Sequence, residues 1–487
     1  MSPKELRIWA LILGGIAMLA VQYSIPTLWE ADGYYHIRMA EAVRREGPVK
    51  KFHWARYSYF ATNFADKDFL YHVLLIPFTA FSGFFPGAKA AAVFFAFLLF
   101  LAYFYVLKER AGGAWAPPFL ILFLLSSHFL SALSRPRPMV AAIALMLLGI
   151  HWALQRKSAR LFGVAFCYGF LHITAPLVPA FALLIEWMRR QDPEDGTFSW
   201  RPFLASSGGV LLSWLLHPNF PNNLLFMWLN LILVPIYAAK GGILELGGEF
   251  FPLNSRDLFM SYPVILPGLL LLIWASFDRP AKTRFQTKAL FIISSLFLIG
   301  GFFSQRYLIH GYPVFLLWMA SYLTDMYGTV ATVPYRTKWT MGLGILLAGS
   351  ITFNGIKAQA QVEKIVNSHY EAVGKWMREN LPPGEVIFHA NWSDSQYLIG
   401  LNPQDDYFVT LDPIYMYAWN KDLYALYRDV AFGRAADPYT VLRNAFKVRY
   451  GYAGRNYFSP LIRQIETDKR FRILAQDGLG VIFEAIP

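Results

Sequence analysis

Eleven apolar stretches, each 15 to 27 residues long, dominate the first three quarters of this chain. They fall near 7–24, 88–107, 117–133, 138–154, 161–187, 203–217, 224–239, 259–277, 288–303, 307–325 and 338–356. A helix crossing a bilayer needs roughly 20 apolar residues. Shorter stretches cross only if tilted, kinked or met by a thinned bilayer. Only 16% of the 487 residues are charged, against roughly 25% for a soluble protein. The sequence therefore predicts a polytopic α-helical membrane protein of 11–13 spans. Pro176 and Pro179 make 161–187 either one kinked helix or two short ones.

The net charge of +12 is unevenly spread. Residues 357–487 hold 15 basic and 15 acidic residues, so the whole excess lies in the apolar part. That distribution argues for membrane topology and contact with anionic lipid, and against nucleic acid as a partner. Lys4 and Arg7 precede the first apolar run, and no small-residue cleavage site follows it. The run is expected to stay as a first span starting in the cytoplasm. Lys108/Arg110, Arg156/Lys157/Arg160, Arg279/Lys282/Arg284/Lys288 and Arg336/Lys338 then fall on the cytoplasmic side. The hydrophilic segments 25–87 and 357–487 fall outside the cell, beyond an inner (cytoplasmic) membrane. Residues 68–83 suit an interfacial helix.

The tail differs in kind. Residues 357–380 read as an amphipathic helix. Beyond Pro382-Pro383-Gly384, the runs VIFHA, YFVTL, KVRYGYA, FRILA and GVIFEA alternate with helical segments. They predict a small α/β domain, giving a transmembrane domain over 1–356 and an extracytoplasmic α/β domain over 357–487. The lone cysteine, Cys167, rules out an intrachain disulfide. No nucleotide-binding loop or zinc spacing is present.

Chemistry concentrates after the first span, in Glu30-Ala-Asp32-Gly-Tyr-Tyr-His36-Ile-Arg38. Asp32 can take a proton from an acceptor, orient it, or hold a cation against a phosphate. It can equally cap the helix that starts near Gly33. His72 follows Asp68 by one helical turn, as a surface pair or a second acid–base site. His172 and His217 are expected to be packing partners.

Asp32-Gly-Tyr-Tyr-His36-Ile-Arg38 after a first span resembles the acidic signature of GT-C glycosyltransferases, closest to the single-subunit oligosaccharyltransferases. The likeness continues in order: a Lys108-Glu-Arg110 turn, Ser134-Arg135, Gly300-Gly301 followed by Arg306-Tyr307, and Trp392-Ser393-Asp394. The resemblance implies catalytic roles for Asp32 and for a glutamate of the glycine-rich loop 240–258, Glu245 or Glu249. It implies that Arg306 binds donor phosphate, with His310 beside it, and that Trp392 and Asp394 contact the acceptor. His36, Arg135 and Arg137 complete the expected substrate-binding set. A divalent metal (Mg or Mn) at Asp32 is implied too, although Ser134-Arg135-Pro-Arg137-Pro lacks the family's acidic pair. Trp392-Ser-Asp394-Ser-Gln lacks the residues that read glycosylation sequons.

The expected function is transfer of a sugar from a polyprenyl-(pyro)phosphate donor to an extracytoplasmic protein or glycan. A transferase moving one sugar to lipid A, a polysaccharide or Ser/Thr is a rival within the superfamily. A flippase of lipid-linked glycans and a non-catalytic partner with the same fold are the alternatives from other classes.

Overall fold

The computed structural model describes residues 3–81, 83–242, 244–278, 283–328 and 335–486. Arg279 and Lys282 lie outside the described residues, as do the side chains of Lys4, Arg7, Arg336 and Lys338. The chain is mostly helical, with one small sheet near its C-terminus.

The helices follow the apolar stretches, with changes at several breaks; the stretch 259–277, for one, divides into Ser255–Ser261 and Ile265–Asp278. Lys108-Glu-Arg110 does not turn; the backbone stays helical from Phe84 to Phe123. All three residues are good helix formers, and the Arg110 guanidinium donates to the His151 carbonyl at 3.2 Å. The stretch 161–187 divides into Ser158–Leu171 and Leu177–Arg190, either side of His172–Pro176. Proline costs the helix a backbone donor, and the side chain of His172 engages Thr174 at 2.7 Å instead.

By length and composition, Phe84–Ala111 is the one described helix able to cross a bilayer unaided. Trp115–Phe123 and Ser127–Leu133, bent by 79°, form a broken second. Pro138–Leu154, Ser158–Leu171 and Phe285–Gly301 are apolar but only 17, 14 and 17 residues long. At 1.5 Å per residue they rise roughly 21–26 Å, short of a hydrocarbon core of about 30 Å. The outer faces of the bundle are nevertheless apolar. Leu204, Leu343, Leu346 and Phe353 are each at least 60% exposed. A helix that is hydrophobic all round is built for a non-aqueous surround.

Small residues let these helices approach closely. A Cβ on Gly209 would sit 2.5 Å from the Phe162 carbonyl oxygen, and one on Gly169 would overlap the Ser213 hydroxyl. Close backbone approach through Gly and Ser is how helices associate where burial from water is not the driving force.

The chain forms two compact units. The first comprises Met1–Trp29, Lys89–Leu216 and Gly248–Val362; the second comprises Glu30–Ala88, His217–Gly247 and Glu363–Pro487. The second contains the sheet, ordered β2-β1-β3-β5-β4. Its strands are β1 (Val386–His389), β2 (Asp406–Tyr407), β3 (Tyr450–Gly454), β4 (Phe471–Gln476) and β5 (Gly480–Ala485). β1 pairs in parallel with β2 and β3, while β5 runs antiparallel to β3 and β4. All five strands arise at or beside the runs of β-branched and aromatic residues. The second run pairs only at its start, over Asp406 and Tyr407. β1 is buried along its whole length, as a strand paired in parallel on both sides should be.

Candidate active site

In the second unit, the helix Asp32–Glu46 begins at Asp32 itself, and Ala31 before it makes no side-chain cap. Asp32 is half-buried in the first turn, where the positive end of the helix dipole favours a carboxylate. Beyond it, Gly33 to Ile37 are buried. The helix is held against Asp394–Leu401 by Gly400, where a Cβ would lie 2.5 Å from that of Tyr34. Arg38 donates to the Gly400 carbonyl at 2.8 Å.

Three tyrosines link this helix to Asp394. The Tyr34 and Tyr397 rings are 5.1 Å apart, and Tyr397 stacks on Tyr370 at 4.1 Å with the planes parallel. The Tyr370 hydroxyl donates to Asp394 Oδ1 at 2.5 Å. Asp394 Oδ2 is buried without a hydrogen-bond partner. Burial pushes the Asp394 carboxyl up to about 7, against the lowering effect of the Tyr370 bond. Asp394 is therefore a buried acid poised near neutrality. Trp392 is half-buried two residues before it, its carbonyl accepting from Ser395 Oγ at 2.8 Å.

His36 sits one turn beyond Asp32. Its Nδ1 lies 2.8 Å from His72 Nε2, and His72 Nδ1 lies 2.7 Å from Asp66 Oδ2. The side chain of His72 thus pairs with Asp66 rather than with Asp68, which binds Lys67 at 2.6 Å. His217 packs as expected, its Nε2 3.0 Å from the Asp66 carbonyl. Glu245 pairs with Arg428 at 3.2 Å; burial raises its carboxyl more than that arginine lowers it.

The first unit gathers another set. Glu249 lies in the short turn Gly248–Phe250, between two guanidiniums. Arg137 Nη1 is 3.0 Å from Glu249 Oε2, and Arg306 Nη2 pairs with Glu249 Oε1. Burial alone would raise the Glu249 carboxyl, but the two arginines outweigh it and hold it well below the usual carboxylate range. Ser304 Oγ donates to the Glu249 carbonyl at 2.7 Å, and Gln305 Nε2 to the Gly248 carbonyl at 2.7 Å. Ser304 caps the helix Gln305–Tyr327, and the Arg306 guanidinium lies 3.9 Å over the Phe250 ring. His310, one turn along, is buried, and its Nε2 has no hydrogen-bond partner. Arg135 is half-buried two residues from Arg137.

Among the described residues, no three His, Cys, Asp or Glu side chains gather to hold a metal ion. Of the expected site residues, Asp32, His36, Trp392 and Asp394 fall in the second unit; Arg135, Arg137, Glu249, Arg306 and His310 fall in the first. Sequence reasoning missed Tyr370, Tyr397 and the pairing of Asp66. A tyrosine facing a buried acid carries no local signature.

The fold is that of GT-C glycosyltransferases. The oligosaccharyltransferase of Archaeoglobus fulgidus superposes with TM-score 0.63 at 12% identity, over 92% of this chain and 69% of that one. ArnT from Cupriavidus metallidurans bound to undecaprenyl phosphate superposes with TM-score 0.61 at 10% identity, over 98% of each chain. Mycobacterial arabinofuranosyltransferase AftD gives TM-score 0.53 at 13% identity, this chain spanning 42% of it. No family model and no curated protein matches the sequence.

Proposed function

We propose that the chain is an integral membrane glycosyltransferase that moves a sugar from a polyprenyl phosphate or pyrophosphate carrier to an acceptor outside the cytoplasmic membrane. The observation that carries this is the seat formed by Arg137 and Arg306 on the single carboxylate of Glu249. Two guanidiniums converge on this one carboxylate. A phosphate presents more oxygens in the geometry that guanidinium groups bind bidentately. The donor phosphate takes the carboxylate's place, with Arg135 and His310 beside it, and Glu249 is released to act on the acceptor. The arginines then stabilise the negative charge that develops on the leaving phosphate.

Asp32 accepts the acceptor's proton as that group attacks the sugar. Asp394 and Trp392 bind the acceptor. The undecaprenyl phosphate on ArnT favours a polyprenyl monophosphate as the carrier here.

The test is transfer of radiolabelled sugar from polyprenyl-linked donors in membranes. Asp32→Asn is expected to lower the rate at least ~100-fold. Arg306→Gln and Arg137→Gln are expected to raise the KM for donor, and EDTA to leave the parent's rate unchanged. Parent-like transfer by Asp32→Asn would refute the role of Asp32. Movement of intact lipid-linked glycan without a covalent product would identify a flippase.

A further inference from the structure

A file of hydrogen bonds runs through the second unit from a buried acid to its surface. Asp394 is buried, and its Oδ1 lies 2.5 Å from the Tyr370 hydroxyl. The Asn391 backbone also reaches this carboxyl, but an amide N–H gives a proton no way out. Tyr452 reaches the Tyr370 hydroxyl in turn, the two rings 5.9 Å apart. The Tyr452 hydroxyl lies 2.7 Å from His369 Nε2, and His369 Nδ1 lies 2.7 Å from Asp477 Oδ2. Tyr452 and His369 are buried too, whereas the Asp477 side chain is 50% exposed. Other groups face the file. Tyr397 stacks on Tyr370, the Tyr427 hydroxyl beside Asp394 donates to the Ala390 carbonyl at 2.8 Å, and Arg455 donates to the Asp477 carbonyl at 3.1 Å. The Asp477 end is fixed. Its Oδ1 accepts from the Leu479 and Gly480 amides, each at 2.8 Å. Burial would raise that carboxyl, but the two amides and His369 hold it below the usual range. An ionised carboxylate only accepts, so His369 Nδ1 carries a hydrogen.

Two arrangements of hydrogens then satisfy each link. In one, Asp394 is a carboxylate: Tyr370 donates to it, Tyr452 donates to Tyr370, and His369 donates to Tyr452 as an imidazolium. In the other, Asp394 is an acid: it donates to Tyr370, Tyr370 to Tyr452, and Tyr452 to the lone pair of a neutral His369. We infer that Asp394 and His369 hold one proton between them, passed through the Tyr370 and Tyr452 hydroxyls, so that Asp394 changes charge without water reaching it. In each passage to His369 the O–H bond of Asp394 breaks, each tyrosine oxygen gains one hydrogen and gives up another, and an N–H bond forms at His369 Nε2. The number of protons is unchanged, and Asp477 balances the imidazolium. The consequence rests on the proposed function, in which Asp394 binds the acceptor: it can meet that acceptor as a hydrogen-bond donor or as a carboxylate. His369, Tyr452 and Asp477 are positioning residues that set which form it takes.

The test follows the 13C carboxyl signals of aspartate and the 15N signals of histidine against pH, using the full-length chain in lipid nanodiscs. Asp394→Asn and His369→Gln identify the two signals. In the parent, Asp394 and His369 are expected to titrate with common midpoints, as one coupled pair. Tyr452→Phe, which takes one hydroxyl out of the file, is expected to separate them. Asp477→Asn, at the half-exposed end, is expected to move the Asp394 midpoint up by about half a pH unit, because the imidazolium loses its counterion and the proton returns to Asp394. Without the file, loss of a negative charge would move that midpoint down. Common midpoints with the upward shift support the shared proton. An Asp394 midpoint that falls or stays put in Asp477→Asn overturns it, as do midpoints that Tyr452→Phe leaves unmoved. With polyprenyl-linked sugar as donor, an acceptor hydroxyl or amide donates to the carboxylate form. Asp477→Asn is therefore expected to move the rise of kcat/KM for the acceptor to higher pH by the same amount, with the donor KM unchanged. If the parent itself transfers no sugar, the proposed function fails, and the NMR titrations alone decide the shared proton.

Discussion

At the scale of single residues, Asp394 shows how far burial lifts a carboxyl toward neutrality. Burial leaves the ionised form poorly solvated and outweighs the lowering bonds from Tyr370 and the Asn391 backbone, so the carboxyl rises to about 7. The sign for stability follows. The folded chain keeps the proton where the unfolded chain, near 3.8, has lost it. Stability associated with Asp394 is therefore present below pH 4 and is lost as pH rises toward 7. Asp394→Asn can still accept from Tyr370 but cannot ionise. Its melting temperature relative to the parent is expected to climb between pH 5 and pH 8, by the equivalent of about 1–4 kcal/mol. A difference that stays flat with pH, measured by thermal unfolding of the purified protein, would contradict this origin of the shift. Glu249 is the opposite case. It is only partly buried, and two guanidiniums keep it ionised.

At the scale of elements, one close approach positions the second unit's chemistry. The helix Asp32–Glu46 and the helix Asp394–Leu401 meet where Gly400 leaves no room for a side chain. The obstruction includes the backbone carbon and oxygen of Tyr34, each 2.9 Å from where a Cβ on Gly400 would sit, so a rotamer change cannot relieve it. Gly400→Ala is expected to cost about 1–3 kcal/mol and to disturb the Tyr34–Tyr397–Tyr370 stack. Thermal unfolding and tyrosine near-ultraviolet circular dichroism read these two effects separately. The turn Gly248–Phe250 is held in a different way: its carbonyls accept from Ser304 and Gln305, and its glutamate binds Arg306. These contacts exchange with solvent or ligand more readily than packing does, which suits a segment that gives way to a substrate.

For the whole molecule, the weight of evidence for a membrane setting is its surface. Long leucine and phenylalanine side chains point outward from helices that also bury apolar faces. Such a chain is expected to stay with the membrane fraction after an alkaline carbonate wash and to need detergent for extraction. Release into the aqueous fraction, followed by immunoblotting, would overturn that expectation.

The sequence by itself determined the run of apolar helices, the five strands of the tail and the identity of the acidic loop. These are written in local periodicity, and neighbours along the chain are enough to express it. It also placed Asp394 beside Trp392 in a candidate motif. Only the tertiary structure decided which side chains meet. Arg137 and Glu249 are 112 residues apart, and His36 and His72 are 36 apart. His72 looked like the partner of Asp68 because the two share a helical turn, yet folding turned it to Asp66. Pairing between distant ionisable groups depends on how apolar surfaces close around them. No periodicity records that, because the energy of such a pair lies in its burial and geometry rather than in its sequence neighbours.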